Sequence, residues 1–253
     1  MKLQSAITMF LIIFFMMMPV VSYARHHHVS HARPEPLPEW CQEQGYSCLR
    51  VKSGQSWKSL FPDQVERDIV MRINRTNRAI YGGIVIEVPD HLAMSNELDF
   101  SPLPRNIDAQ SEKVIIVDLT VHAWGAYGAD GSLVRWGPAT GGSDWCRDIH
   151  RACRTKPGTF RVYSLGSSSC VSRKFPVPRG GAPMPYCMFF DGGQALHGSP
   201  GEVVRGNISH GCVRIYVNDA EWLRYDFVEG PNSSNNYHGT KVVVKPYGDS
   251  DSR

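Results

Sequence analysis

Nucleophilic chemistry is indicated by the segment 207–217, with the sequence NISHGCVRIYV, and by the Leu-His-Gly triplet that precedes it. Successive side chains of a strand point to opposite faces, so Cys212 is expected to share a polar face with Arg214 and Tyr216. A thiol beside a guanidinium is a candidate nucleophile, and the histidine of the triplet, His197, is a candidate base for it.

The residues around the thiol suggest how such a reaction would be assisted. Gly211 has no side chain, so a substrate carbonyl can approach the backbone N–H groups of Gly211 and Cys212, which are expected to act as oxyanion donors. Ser209 and His210 are expected to fix the loop and polarise the site, with a structural role favoured for His210. Because a free thiol has a pKa near ~8.5, a neighbouring imidazole or cation must raise its thiolate fraction. Arg214 adds positive potential and offers a partner for a substrate carboxylate, the alternative being a salt bridge that shapes the cleft.

These motifs resemble the signature of the YkuD-type L,D-transpeptidase catalytic domain, whose members remodel bacterial peptidoglycan. The signature residues are His197-Gly198 and the run Ser-His-Gly-Cys-Val-Arg at 209–214. Three further segments resemble the family's opening strand, its threonine-proline-glycine turn and the segment that leads to the histidine; they are 114–118, 155–160 and 184–193. The resemblance covers roughly half of the chain.

The resemblance implies a mainly β fold: a YkuD-type β-sandwich with a short helix. It also implies that His197 exchanges a proton with Cys212 and that the backbone carbonyl of Gly198 orients the imidazole. Cys212 would attack the amide between the third residue of a tetrapeptide stem and the terminal D-alanine, giving a thioester and free D-alanine. The acyl group would then pass to an amine of another stem, forming a 3-3 cross-link, or to a lipoprotein. Water as the acceptor would make the protein an L,D-carboxypeptidase.

Other residues of the expected cleft are less firmly indicated. The glycine- and proline-rich segment 176–186 is positioned to form a wall or flap. Tyr186 and Trp145 are candidate substrate-lining residues, with core packing as the alternative for both. Between Cys146 and Cys187 the sequence also resembles the EnhA-like subgroup of the family.

The chain contains 7 cysteines, an odd number for a protein expected in an oxidising compartment. Six of them form neighbouring pairs along the chain. The expected bridges are Cys41–Cys48, Cys146–Cys153 and Cys170–Cys187. This pairing leaves Cys212 free, although the sequence leaves other connectivities open. An inert buried thiol is the alternative for Cys212.

Residues 1–24 are predicted to be a cleavable signal peptide. Lys2 supplies the positive charge, 7–21 is apolar, and Ser-Tyr-Ala at 22–24 suits a signal peptidase. The alternative is an uncleaved anchor helix, although the apolar run is short and Pro19 interrupts it. No later segment is long and apolar enough to cross a membrane. The mature chain is therefore expected in the periplasm or cell wall, with no transmembrane anchor.

The remaining chain is expected to contain two domains and two linkers. Residues 25–40 are histidine- and proline-rich and are predicted to be an exposed linker, with metal binding as the alternative. Residues 41–92 resemble a LysM module, a small α+β fold that grips peptidoglycan glycan strands in other proteins. The alternative is a LysM-like fold without glycan binding. Residues 93–111 are predicted to be a second linker, and 112–248 the catalytic domain.

The hydrophobic patterns predict the elements of both domains. Strands are predicted at 49–51, 84–89, 114–117, 123–127, 133–136, 159–163 and 241–245. Helices are predicted at 56–61, 65–74 and 218–225. For the last helix, Asn218 is the expected N-cap and Glu221 the third residue.

Composition and motifs weigh against several other classes. With 27 basic and 24 acidic residues the charge is near balance, which favours an anionic wall polymer weakly and gives no indication of nucleic-acid binding. No phosphate loop, dinucleotide fingerprint or metal motif is present, so no cofactor is implied. A zinc site formed by His197, His210 and Cys212 is an alternative that lacks the usual ligand spacing. A papain-type hydrolase lacks its local signature. A catalytically idle protein that binds the wall through the LysM-like module is the remaining alternative.

Overall fold

The computed structural model describes residues 44–94 and 96–248, which are mainly β with short helices, as predicted. The strands are β1 (Tyr46–Arg50), β2 (Val85–Pro89), β3 (Val114–Asp118), β4 (Ala123–Tyr127), β5 (Leu133–Pro138), β6 (Gly141–Gly142), β7 (Gly158–Arg161), β8 (Ser164–Leu165), β9 (Met188–Asp191), β10 (Gln194–Gly198), β11 (Asn207–Ser209), β12 (Val213–Ile215) and β13 (Lys241–Val244). The α-helices are α1 (Trp57–Leu60), α2 (Gln64–Ile73) and α3 (Val217–Trp222).

Two sheets enclose the main core. The larger has the strand order β5-β4-β3-β13-β7, with β3 and β13 parallel, and the smaller has the order β12-β10-β9-β8, with β10 and β12 parallel. Apolar side chains from both sheets and from α3 meet between them; they include Ile115, Val117, Trp124, Met188, Phe190, Leu196, Val213, Ile215, Ala220 and Val242. This packing of one sheet on another is the predicted sandwich.

The other face of the larger sheet is also covered. Ile69 and Ile73 of α2 pack against this face, together with Phe100 and Leu103 from the segment expected to be a linker. All five residues of β3 are therefore buried, which explains why its sequence is apolar on both faces.

The N-terminal unit, which runs from β1 to β2 (residues 46–89), has the predicted order of strand, two helices and strand. β1 pairs antiparallel with β2, and Ser56 caps α1 by accepting a hydrogen bond from the Ser59 N–H. Asp63 caps α2 in the same way through the Glu66 N–H. The order agrees with a LysM-like fold, and the identification as a LysM module stays a prediction.

Two sequence-based predictions after Cys212 were wrong. The strand β12 ends at Ile215, and α3 begins at Val217 with Tyr216 as N-cap rather than Asn218. The Asn218 side chain instead accepts a hydrogen bond from the neighbouring Asp219 N–H at 3.0 Å. Because the chain turns into the helix here, Tyr216 is buried and does not share the polar face with the thiol.

A buried ion pair joins α2 to the start of α3. Both terminal nitrogens of Arg72 donate to the Asp219 carboxylate, at 2.8 and 2.7 Å, and Arg135 contacts the same carboxylate at 2.8 Å. Burial alone would lower the pKa of Arg72, but the charge and hydrogen bonds of Asp219 outweigh it and raise that pKa. These contacts lie within one compact unit of the chain.

Several predictions fall on residues that the structure does not describe. The signal peptide at 1–24, the first linker at 25–40 and Cys41, with its expected bridge to Cys48, lie outside the described residues. Within the described ranges, the helices are all too short or too polar to span a bilayer.

Candidate active site

Cys212 ends a tight loop between β11 and β12. Gly211 has φ +116°, a conformation that L side chains rarely adopt, and a Cβ there would lie 3.0 Å from Gln194 Nε2. Ser209 Oγ closes the loop, because it accepts from the Gly211 N–H at 3.1 Å and donates to the Cys212 carbonyl at 2.5 Å. The Gly211 N–H is therefore engaged within the loop, and its role as an oxyanion donor stays a prediction that requires it to change partner.

His197 lies on the strand next to the thiol. β10 and β12 are parallel, with His197 opposite Arg214 and with Leu196 opposite Val213. Leu196 and Val213 are buried in the core, so the alternation of strand side chains assigns His197 and Arg214 to the other face. The structure thus brings the predicted base and the predicted cation together beside the nucleophile loop.

The Gly198 carbonyl determines which nitrogen of His197 can act as a base. His197 Nδ1 lies 2.8 Å from the Gly198 carbonyl oxygen. A carbonyl oxygen only accepts, so Nδ1 carries the hydrogen and Nε2 keeps its lone pair. This arrangement agrees with the orienting role expected of Gly198.

The Cys212 thiol has contacts of its own. Its sulfur lies 3.8 Å from the Gly193 carbonyl oxygen, and the backbone of Ala195 is a further hydrogen-bond partner. Within the described ranges no hydrogen bond joins this sulfur to the His197 imidazole, so proton exchange between them stays a prediction.

Burial keeps both groups neutral at rest. It raises the pKa of the Cys212 thiol, although the Ala195 backbone and the Arg214 charge oppose the increase. Burial also lowers the pKa of His197 to about 4; the Gly198 carbonyl opposes this decrease and the Arg214 charge adds to it. Arg214 forms no ion pair with a carboxylate of the described residues, so its positive charge remains available to the site. Near neutral pH the site holds a thiol and an uncharged imidazole.

Both disulfides that fall within the described residues were predicted correctly. They join Cys146 to Cys153 and Cys170 to Cys187. Of the cysteines in the described ranges, Cys212 is the one that is free.

His210 connects the two disulfide-closed segments. Its Nε2 lies 2.8 Å from a carboxylate oxygen of Asp148, and its ring centroid lies 4.2 Å from that of Phe175. The hydrogen bond from the imidazole lowers the pKa of Asp148. These contacts agree with the structural role favoured for His210.

The described residues provide no convincing metal site. Cys146, Asp148 and His210 have ligand atoms within 4.8 Å of one another, but the Cys146 sulfur is bonded to Cys153. In the described residues, the possible ligand atoms of His197, His210 and Cys212, the alternative zinc site, do not form such a cluster.

A cavity of about 740 Å³ opens at the thiol. Cys212 and His210 line it, together with residues 163–167, 169–175 and 192–194. From the proposed flap at 176–186 only Met184 lines the cavity, as far as the described residues show. The main wall is therefore the segment that precedes the predicted flap.

The two candidate lining residues lie elsewhere. Trp145 is 56% exposed and is not part of the cavity wall. Tyr186 is also absent from this wall, and its hydroxyl donates to Glu221 at 2.7 Å. Their proposed contact with substrate stays a prediction that this cavity does not support.

Sequence reasoning missed Thr155, which holds the nucleophile loop, and Gln194, whose side chain lies beside Gly211. The Thr155 hydroxyl donates to the Gly211 carbonyl at 2.9 Å and accepts from the Gly142 N–H at 3.0 Å. The Gln194 side chain accepts from the Lys156 N–H at 3.0 Å. Thr155 opens the threonine-proline-glycine motif, so its position was marked in the sequence, but its contact with a loop 56 residues away was not.

A protein-family model matches the C-terminal half of the chain. Residues 112–244, more than half of the chain, match the family model described as the L,D-transpeptidase catalytic domain, YkuD. No curated protein matches the chain. Among solved structures, the chain is similar to an L,D-transpeptidase (residues 123–326) from Xylanimonas cellulosilytica, at 23% identity over 77% of this chain and 97% of that one, with a TM-score of 0.50.

Two mycobacterial structures are more distant. One is an L,D-transpeptidase from Mycobacterium smegmatis, at 18% identity over 68% of this chain and 67% of that one, with a TM-score of 0.41. The other is L,D-transpeptidase 3 from Mycobacterium tuberculosis in complex with a faropenem-derived adduct, at 21% identity over 53% and 60%, with a TM-score of 0.40. From the match over 112–244, the chain belongs to the YkuD family of L,D-transpeptidase catalytic domains.

Proposed function

We propose that this protein is a peptidoglycan L,D-transpeptidase with Cys212 as its nucleophile. The observation that carries the proposal is the pairing of a free thiol, at the wall of a cavity, with a neutral imidazole on the adjacent strand. Because Nδ1 of that imidazole is engaged by the Gly198 carbonyl, Nε2 is the nitrogen that can take the proton of the thiol.

In the first half-reaction the stem peptide is the acyl donor. The Cys212 S–H proton moves to His197 Nε2 as the sulfur attacks the carbonyl carbon between the third residue and D-alanine. When the C–N bond breaks, the imidazolium returns the proton to the departing D-alanine amine, and a thioester remains. The N–H groups of Cys212 and of Gly211, once released from Ser209 Oγ, are the proposed oxyanion donors.

In the second half-reaction an acceptor releases the acyl group. The amine of a second stem attacks the thioester carbonyl, its proton passes to His197 and then to the sulfur, and a 3-3 cross-link forms. A lipoprotein amine in the same role would attach that protein to the wall, and water would give L,D-carboxypeptidase activity. The cross-linking reaction is the one we propose, since stem peptides then serve as both the acyl donor and the acyl acceptor.

The remaining predictions extend this function. We propose that the N-terminal unit is a LysM-like module that binds glycan strands, and that a signal peptide exports the protein to the periplasm or cell wall. The strand–helix–helix–strand order supports the first proposal, and the two disulfides support an oxidising compartment.

The test is intact-protein mass spectrometry under non-reducing conditions, before and after incubation with a carbapenem. We expect a single drug adduct on the wild-type protein and none on Cys212→Ala. Assays with tetrapeptide stems would then separate cross-linking from release of D-alanine by hydrolysis. Absence of an adduct, with Cys212 oxidised or paired to another cysteine, would refute the proposal and favour a wall-binding protein without catalysis.

A further inference from the structure

Three basic side chains line the cavity that holds Cys212, and its wall contains no aspartate or glutamate among the described residues. These residues are Arg151, Arg173 and Lys174, and we call them the cationic rim. All three are exposed at the surface. A ligand that enters this cavity therefore meets positive charge from several directions.

The charges of the cationic rim are not neutralised by the described part of the protein. None of the three forms an ion pair there, whereas nearby basic residues do: Arg154 pairs with Asp144 at 2.5 Å and Lys156 with Asp191 at 3.6 Å. The nearby carboxylate of Asp148 is already engaged by an imidazole at 2.8 Å. A cavity with unpaired cations is suited to an anionic ligand.

The two disulfide-closed segments carry the cationic rim. Arg151 lies between Cys146 and Cys153, and its carbonyl accepts from the Cys146 N–H at 2.9 Å. Arg173 and Lys174 lie between the other two bridged cysteines, and the Lys174 N–H donates to Ser172 Oγ at 3.3 Å. Because disulfides restrict the backbone of both segments, less backbone conformational entropy is lost when these segments bind a ligand.

We propose that the cationic rim binds free carboxylates of the stem peptide, so that the enzyme selects acidic stems over stems whose carboxylates are amidated. This inference rests on the proposed function, because it assigns the substrate class of the same site. A guanidinium forms charge-assisted, bidentate hydrogen bonds with a carboxylate, and a neutral amide cannot replace them. The preference should weaken with salt, because exposed charges are screened over about 10 Å at 0.1 M ionic strength.

The first experiment compares two donor tetrapeptides that differ at one group. One has a free carboxylate on its second residue, and the other has that carboxylate amidated. For the wild type at low salt we expect kcat/KM for D-alanine release to be about tenfold higher with the free carboxylate, as two or three exposed ion pairs would give. In the double variant Arg173→Gln/Lys174→Gln the two peptides should differ by less than about twofold, with the amidated peptide almost unaffected.

A matched control removes an equal charge from the two disulfide-closed segments, at positions outside the cavity. Arg147 and Arg179 are exposed and do not line it, so Arg147→Gln/Arg179→Gln should keep the wild-type preference. Arg173→Lys keeps the positive charge and should retain most of the preference. Nearly unchanged turnover of the amidated peptide by Arg173→Gln/Lys174→Gln excludes a folding defect as the cause. Equal kcat/KM of the wild type for both peptides, or an unchanged preference in Arg173→Gln/Lys174→Gln, would overturn the inference.

A binding measurement separates this inference from the proposed function. Isothermal titration of Cys212→Ala with each tetrapeptide reports recognition without turnover. If the wild type releases no D-alanine while Cys212→Ala still binds the charged peptide about tenfold more tightly, the proposed reaction fails and the cationic rim stands. Equal affinity for the two peptides would refute the role of the cationic rim, whatever the activity.

Discussion

The Arg72–Asp219 pair should be the most sensitive single contact between the N-terminal unit and the catalytic domain. The side chains are only 4% and 0% exposed, and Arg135 is held by the same carboxylate. In Asp219→Asn the charge of Arg72 stays buried without its closest counter-charge, because the Glu97 carboxylate is farther away, at 3.4 Å, and partly exposed. Breaking a buried pair from one side typically costs about 3–5 kcal/mol. For a chain of this size, each kcal/mol lowers Tm by about 2–4 °C, so we expect a decrease of about 6–20 °C.

Urea denaturation and thermal melts of purified variants measure this effect. Asp99→Asn is the matched control, because the Arg105–Asp99 pair is 3.3 Å long but about half exposed, with side chains at 52% and 54%. This control should change the free energy of unfolding by less than about 0.5 kcal/mol. The double variant Arg72→Met/Asp219→Leu should be more stable than Asp219→Asn, because it removes the buried charge of Arg72 and leaves only the partly exposed side chains of Arg135 and Glu97 without their partners. A loss below about 1 kcal/mol in Asp219→Asn would refute the reasoning, since typical losses are several-fold larger.

The site gives four further predictions. Gly211→Ala should lower the rate of Cys212 acylation by about 10²-fold or more, measured by timed mass spectrometry with a carbapenem, because an L side chain disfavours the positive φ that places the proposed N–H donor. Acylation should decrease as pH falls toward about 4, where His197 gains a proton, and should increase at alkaline pH, where the half-buried Cys212 thiol ionises. The free energy of unfolding should also decrease as pH is lowered from 6.5 toward 4, because His197 binds a proton more readily in the unfolded chain than in the folded chain. Urea titrations at several pH values would show a steeper dependence of this free energy on pH for the wild type than for His197→Gln. Thr155→Val should slow acylation with little change in Tm if its hydroxyl mainly positions the loop, and a rate equal to wild type would exclude that role.

The elements with regular periodicity could be predicted from the sequence. The run 114–117 is apolar throughout because the sheet is covered on both faces, and that pattern was sufficient to identify a strand. The bridges Cys146–Cys153 and Cys170–Cys187 followed from pairing neighbours along the chain. In both cases local sequence carries the information.

Contacts between distant segments could not be predicted in the same way. Phe100 and Leu103 lie in a proline-rich segment with few apolar residues, yet they pack under the larger sheet. Asn218 has the side chain of an N-cap, but the N-cap is Tyr216, two residues earlier, since the end of β12 fixes where the chain turns. The cavity wall at 169–175 likewise depends on the contact between Phe175 and His210, which no local pattern identifies.

The raised pKa of Cys212 is compatible with its proposed role as a nucleophile. A thiolate of low pKa is abundant but intrinsically less reactive, whereas a thiol that ionises only during attack keeps its nucleophilicity. Burial disfavours charge on both Cys212 and His197, so the thiolate–imidazolium pair should form only as the substrate carbonyl is attacked. Arg214 and the Ala195 backbone then stabilise the sulfur charge as it develops. It follows that Arg214→Gln should raise the pKa of Cys212 further and shift the alkaline limb of the acylation profile to higher pH, without removing the reaction.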